Sequence, residues 1–259
     1  MLNARTFRRL RIFILLLILL VISLNTWLSR IRSTDWQESL WVVIYPLNGD
    51  GRADTQRYVD SLQAQQFSSV RQFFAREAAR YDVPLDDPVI VQLAAQVRAQ
   101  PPEPGPNPSL FASVRWSLSM RWWAWRHDNW AGPAPDVRIF VRYHSPQNQN
   151  TLAHSLGLQK GLIGLVNAFA DARFEGQNAV VMAHELLHTL GATDKYDPAN
   201  GYPLWPDGFA EPDRVPRLPQ LQAEIMAGRV ALSERQAVMP LSLQEVIVGP
   251  LTAAEINWH

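Results

Sequence analysis

The sequence contains no cysteine, which excludes disulfides, thiolate zinc sites and a cysteine nucleophile, and leaves any metal to His, Asp or Glu. It also lacks an excess of either charge, because Lys+Arg and Asp+Glu both number 24 and the formal net charge is zero. No basic face for nucleic acid and no acidic tail stand out, so a nucleic-acid partner is not expected. Internal repeats and long low-complexity tracts are missing as well. What is there is 259 residues, 47% of them hydrophobic. That is enough for one sizeable core and an apolar anchor, and short for two full domains.

The N-terminus carries the longest apolar run. Ile12 to Ile22 is unbroken, and the stretch continues through Leu24 and Trp27 to Leu28 with only Ser23, Asn25 and Thr26 intervening. At about 1.5 Å per residue this suffices for a short membrane helix. A cleaved signal peptide shares the charged start and apolar middle, but no small-x-small cleavage site follows Leu24. Residues 12–28 are therefore expected to be an uncleaved transmembrane signal-anchor. Arg5, Arg8, Arg9 and Arg11 precede it, whereas Arg30 and Arg32 follow beside Asp35 and Glu38. The positive-inside rule then leaves residues 1–11 in the cytoplasm and puts the domain at 36–259 in the periplasm or outside the cell.

Beyond the anchor, Leu40–Tyr45 reads as a strand halted at Pro46, Asn48, Gly49 and Gly51. Asp54 reads as an N-cap. Val59, Leu62, Phe67, Val70, Phe73 and Phe74 mark one or two amphipathic helices over Thr55–Arg80. Val89–Val97 is a strand or short helix, and the proline-rich stretch Pro101–Pro108 can only be a loop. Ser109–Trp125 reads as a helix loaded with Trp116, Trp122, Trp123 and Trp125. Those rings fit the core better than a membrane surface. Val137–Tyr143 alternates as a half-exposed strand would, and Leu162–Phe169 reads as a more buried one.

Gln177–Leu190 is the strongest helix, with Asn178 as a plausible N-cap and Gly191 as its stop. It contains His184-Glu185-Leu186-Leu187-His188. At roughly 100° per residue the two imidazoles lie about 40° apart on one face, while Glu185 is about 60° to the side of His188. Ala179, Val180, Ala183, Leu186, Leu187 and Leu190 occupy the remaining arc and can bury in the core. Two neutral imidazoles at i, i+4 suit a single Zn²⁺, and the offset carboxylate suits a general base acting on a water beside it.

The run continues through Gly191 to Asp194, giving H-E-x-x-H-x-x-G-x-x-D. This resembles the extended signature of the metzincin metallopeptidases, in the snapalysin-type variant that has Asp where most members have a third His. The resemblance implies Zn²⁺ held by His184, His188 and Asp194, with Glu185 as catalytic base. It also implies a zincin-like α+β fold, with a mixed twisted sheet over the active-site helix. A downstream Met-turn is implied too, and Ala223-Glu224-Ile225-Met226-Ala227-Gly228 resembles one, with Met226 supporting the site by packing. The likeness spans about Val180 to Gly228.

Asp197, Glu211 and Glu224 are rival third ligands, and Asp194 has the competing options of capping its loop or pairing with Lys195. Tyr196 and Tyr202 are candidate hydrogen-bond donors to an oxyanion. His127, His144, His154 and His259 lack ligand spacing. Gly201 to Pro219 is expected to line a cleft wall, and Leu241–Val248 and Thr252–Trp258 to form short closing helices. The expectation is thus a membrane-anchored zinc metallopeptidase with a protein or peptide substrate. The alternatives are a membrane-tethered zinc-binding assembly factor and a zinc hydrolase of a non-peptide cell-wall amide.

Overall fold

A computed structural model of the chain describes residues 11–17, 20, 34–103, 105, 109–147, 155–158 and 162–258. Its main strands are runs that contain Val and Ile, β1 (Leu40–Asn48), β2 (Val89–Leu93), β3 (Val137–His144) and β5 (Ile163–Phe169), joined by a short Leu-Gly-Leu strand, β4 (Leu156–Leu158). They form one sheet in the order β2-β1-β3-β5-β4. β2, β1, β3 and β5 are parallel, and the edge strand β4 runs antiparallel to β5. Ile44 sets the register, opposite Leu93 on one side and Ile139 on the other.

Parallel neighbours need crossovers, and these crossovers decide the layers. From β1 the chain steps to β2 through α1 (Ala53–Asp60) and α2 (Ser68–Arg80), then returns past β1 to β3 through α3 (Leu110–Arg126). Right-handed crossovers taken in opposite directions put their helices on opposite faces. One face of the sheet, with Val42, Ile44, Ile139, Val141 and Val166, packs on Phe73 and Phe74 of α2 and on α4 (Glu175–Leu190) through Ala183, Leu186 and Leu187. The other face, with Val43, Tyr45, Leu47, Phe140 and Leu165, packs on Met120, Trp123 and Ala124 of α3. After α4 come the short strands β6 (Ala223–Glu224), β7 (Val230–Ser233), β8 (Gln236–Val238) and β9 (Val246–Ile247), and the last helix α5 (Pro250–Glu255).

The expected transmembrane helix is corrected. Among the described residues no helix is long and apolar enough to cross a membrane. Residues 11–17 and 20 are helical, but 18, 19 and 21–28 lie outside the described residues. What stands of the fold class is α+β, with a sheet parallel except at one edge.

Several local expectations change too. β1 runs through Pro46, whose carbonyl accepts from Val97 N at 2.9 Å. That edge of β1 faces the chain just beyond the end of β2, where the missing N–H is not required. β3 is buried on both faces, because helices cover both sides of the sheet. Arg52, not Asp54, occupies the N-cap of α1, and the Asp54 carboxylate accepts from Arg52 Nε and Ser145 Oγ, both at 2.9 Å. Trp123 is buried as expected of the core, whereas Trp122 and Trp125 are exposed. Thr252 lies inside α5, whose N-cap is Gly249, and 241–248 contains a single 3-10 turn followed by β9.

Candidate metal centre

α4 starts at Glu175, two residues before the expected beginning, and Phe174 stands at its N-cap. Asn178 is instead buried inside the first turns. Its side chain accepts from Phe169 N at 3.0 Å and donates to Phe169 O at 2.9 Å, stitching α4 to the end of β5. Ala179, Val180, Ala183, Leu186, Leu187 and Leu190 are all buried, so the inward arc is the one that periodicity marks out. Gly191 ends the helix at φ 111°, a left-handed conformation that strains any residue with a Cβ. The chain reverses there, and Ala192 N returns to Leu187 O at 3.0 Å.

This reversal brings Asp194 back over the helix. Its Oδ1 lies 3.3 Å from His184 Nε2 and 3.1 Å from His188 Nε2. The other ring nitrogens are committed, since His184 Nδ1 donates to Ile225 O and His188 Nδ1 to Ala192 O, each at 2.9 Å. A carbonyl oxygen can only accept, so each neutral ring carries its proton on Nδ1 and turns a bare Nε2 lone pair toward Asp194. Two lone pairs and a carboxylate oxygen then converge, and only a positive charge can reconcile them.

The spacing fits a metal ion. Ligand atoms at about 2.0–2.2 Å from a tetrahedral centre stand about 3.3–3.6 Å apart, close to the separations found. His184, His188 and Asp194 form a group able to bind a metal, with ligand atoms all within 4.8 Å of one another. The side chains of His184, His188 and Asp194 are 14%, 19% and 42% exposed, so the group opens to solvent on the Asp194 side. Among the described residues it has three members, which leaves a coordination position for a small molecule.

The local field also favours a cation. Burial pulls the His184 ring down, but the Asp194 carboxylate, the charge of Glu185 and the Ile225 carbonyl together raise its pKa. Burial pushes Asp194 up, and the two imidazoles override it and hold the carboxyl well below the usual range.

The rival ligands are engaged elsewhere. Asp197 caps its own turn, accepting from Ala199 N at 2.9 Å and Asn200 Nδ2 at 3.0 Å. Glu211 pairs with Arg214 at 3.3 Å. Lys195 does not pair with Asp194. It is buried, and its Nζ reaches Glu255 Oε2 of α5 at 2.7 Å and Thr193 O at 2.8 Å. That ion pair moors the strip 193–195 to the last helix.

Glu224 lies beneath the site, fully buried. Its Oε2 accepts from Met226 N at 2.6 Å and Ala227 N at 2.9 Å, and its Oε1 from Gly249 N at 3.1 Å and Thr252 Oγ at 2.7 Å. Four donors on one carboxylate fix the turn that aims Ile225 O at His184 and buries Met226. Met226 also accepts Lys195 N on its carbonyl at 3.0 Å, tying the turn to the strip that follows Asp194.

Glu185 is 5% exposed and close enough for its charge to act on both His184 and Tyr196. Burial raises the Tyr196 pKa, and so does the negative charge of Asp194. Tyr202 is turned away, its hydroxyl donating to Ser233 O at 2.8 Å. The stretch after it leans on the site strip, with Leu204 N donating to Lys195 O at 2.8 Å. His127 Nδ1 bonds Trp123 O at 2.9 Å, and His144 Nε2 faces Asn167 Oδ1 at 3.4 Å, so neither joins the metal group. His154 and His259 lie outside the described residues. A surface cleft of about 490 Å³ lies elsewhere, along Arg52, Asp54, Arg57 and Gln147.

The two backbone carbonyls that orient the imidazoles, and the structural roles of Glu224 and Glu255, carry no mark in the sequence. A carbonyl has no side chain to read, and Glu224 stands out only as a lone acid among small and apolar residues. No protein-family model matches the chain, and no curated protein matches it.

Proposed function

We propose that the chain is a zinc-dependent hydrolase that cleaves peptide bonds. The observation that carries this reading is the convergence of His184 Nε2, His188 Nε2 and an Asp194 oxygen, with both Nδ1 protons locked onto carbonyls. Two imidazoles and one carboxylate with an open position are the donor set of a catalytic zinc rather than a closed structural one. Zinc at such a set supplies Lewis-acid polarisation of a carbonyl and lowers the pKa of water toward neutrality.

The chain's own residues do the rest. Ile225 O and Ala192 O hold the imidazoles in the tautomer that leaves Nε2 free to ligate. Glu185 follows His184 on the helix and takes a proton from the attacking water as the C–O bond forms. It then delivers that proton to the amine nitrogen as the C–N bond breaks. Tyr196 is near enough for the Asp194 charge to raise its pKa, and in this reading its hydroxyl is the donor to an oxygen that becomes negative. The Met226 turn and the resemblance to the metzincin pattern support the same reading. A third ligand drawn from the loop just after Gly191 also favours it over the gluzincin plan, which takes a distant Glu.

Elemental analysis of the purified protein should find one zinc per chain, and the protein should cleave an unfolded protein substrate. Glu185→Gln should keep the zinc and lose activity by about 10²–10⁴-fold. Full activity in a zinc-loaded Glu185→Gln protein would refute the mechanism. Release of products from cell-wall material with none from protein would replace the peptide bond by another amide.

A further inference from the structure

α3 has two unlike faces. Met120, Trp123 and Ala124 pack into the sheet, whereas Phe111, Val114, Leu118, Trp122 and Trp125 are 80%, 58%, 59%, 61% and 73% exposed. Their spacing of three, four, four and three confines them to an arc of roughly 80°. On the same wheel Arg115 and Arg126 lie about 20° and 40° beyond one edge of that arc, and Arg121 lies about 20° beyond the other. The helix contains no Asp or Glu. A continuous apolar stripe of this length on a protein surface marks something that covers it, and nothing in the chemistry of the metal centre uses it.

The composition selects the partner. Aromatic rings and leucine along one line, flanked on both sides by guanidinium groups on long apolar stems, match the boundary between acyl chains and anionic headgroups. A second copy of α3 fits worse, because pairing the stripes would bring arginines of two helices together with no carboxylate on either helix to separate them. We infer that α3 is an interfacial helix that lies on an anionic lipid surface, with Phe111, Leu118, Trp122 and Trp125 in the acyl boundary and Arg115 and Arg126 at headgroup phosphates. The helix runs along the sheet face opposite α4, so this contact leaves the core on the α4 side undisturbed.

The absence of cysteine makes the test direct. A single Leu118→Cys change in the full chain accepts one environment-sensitive fluorophore, and Leu251→Cys, at an exposed position of α5, serves as the control. On vesicles of phosphatidylcholine and phosphatidylglycerol the label at 118 should shift to the blue while the label at 251 stays unchanged. Both labels ride on the same N-terminal segment, so a difference between them reports α3 itself. Arg115→Gln with Arg126→Gln, both at exposed positions, should weaken the response at 118 about 25-fold, taking about 1 kcal/mol per arginine at an anionic surface.

A label at 118 that remains in water with vesicles present would overturn the inference. So would an equal response to vesicles of phosphatidylcholine alone, since the arginines would then have no part in it. A label already shielded before lipid is added would also refute it. Shielding that grows with protein concentration would identify a second copy as the partner, and shielding independent of concentration would identify a segment of the same chain.

Discussion

Replacing Glu224 by Gln should both destabilise the protein and loosen its hold on metal, although Glu224 is not a ligand. Each of its oxygens accepts two hydrogen bonds, from Met226 N and Ala227 N on one and from Gly249 N and Thr252 Oγ on the other. A glutamine has one acceptor oxygen and one donor NH₂; its best orientation turns the NH₂ toward Gly249 N and Thr252 Oγ, where the hydroxyl can rotate to accept but Gly249 N still faces another donor. The side chain is fully buried, and water cannot relieve the conflict. One stranded donor costs about 1–3 kcal/mol, which sets the destabilisation at about 1–3 kcal/mol.

In a domain of this size about 1 kcal/mol lowers the melting midpoint by about 2–4 °C, so thermal denaturation should show a fall of roughly 2–12 °C. The same turn carries Ile225 O, which orients His184, so zinc titration should show about 10–100-fold weaker binding. A midpoint within about a degree of the unaltered protein, together with unchanged zinc affinity, would refute the idea that this carboxylate holds the turn.

The other predictions concern the helix stop, the acid side of the stability curve and the metal itself. Gly191→Ala places a Cβ at φ 111°; it should cost about 1–2 kcal/mol in thermal or denaturant unfolding and weaken zinc binding by displacing Asp194. Asp54 is held down at about 2 by the Arg52 guanidinium and the Ser145 hydroxyl, against an ordinary value of 3.8. A depressed carboxyl stabilises the fold above its unfolded value and loses that contribution as pH falls through its folded value. Asp54→Asn should therefore flatten the decline in stability between those two values, measured by urea unfolding at a series of pH. Chelation should lower the melting midpoint of the unaltered protein, and zinc at about 100 times its dissociation constant should restore about 2.7 kcal/mol. Asp194→Ala should abolish most of that zinc-dependent gain, and an undiminished gain would remove Asp194 from the ligand set.

The structural supports of the site come from three separate parts of the chain. α4 supplies two imidazoles, the strip after Gly191 supplies Asp194 and Ala192 O, and the turn at Met226 supplies Ile225 O. Glu224 fastens that turn to the start of α5, and Lys195 fastens the strip to Glu255 near its end. α5 thus braces both halves of the site without touching a ligand. Its importance could not be read locally, because its six residues show only Pro250 at the helix start and a small apolar patch.

What the sequence determined by itself is what depends on neighbours a few positions away. The i, i+4 spacing of His184 and His188 puts both rings on one side of α4, and a glycine where φ must be positive ends that helix. The want of cysteine confines a metal to imidazole and carboxylate, and the apolar runs from Leu40, Val137 and Ile163 become strands because branched side chains suit a buried sheet. Tertiary structure decided the rest. It placed Ile225 O against a ring 41 residues earlier in the chain, brought Asp194, and not Asp197 or Glu211, beside the two imidazoles, and made Glu224 a buried strut. It also buried Trp123 while leaving Trp122 and Trp125 outside, a choice that helical periodicity cannot make when rings occur on two opposite sides. Chain reversal and layer order set these outcomes, and both arise from contacts between segments far apart in sequence.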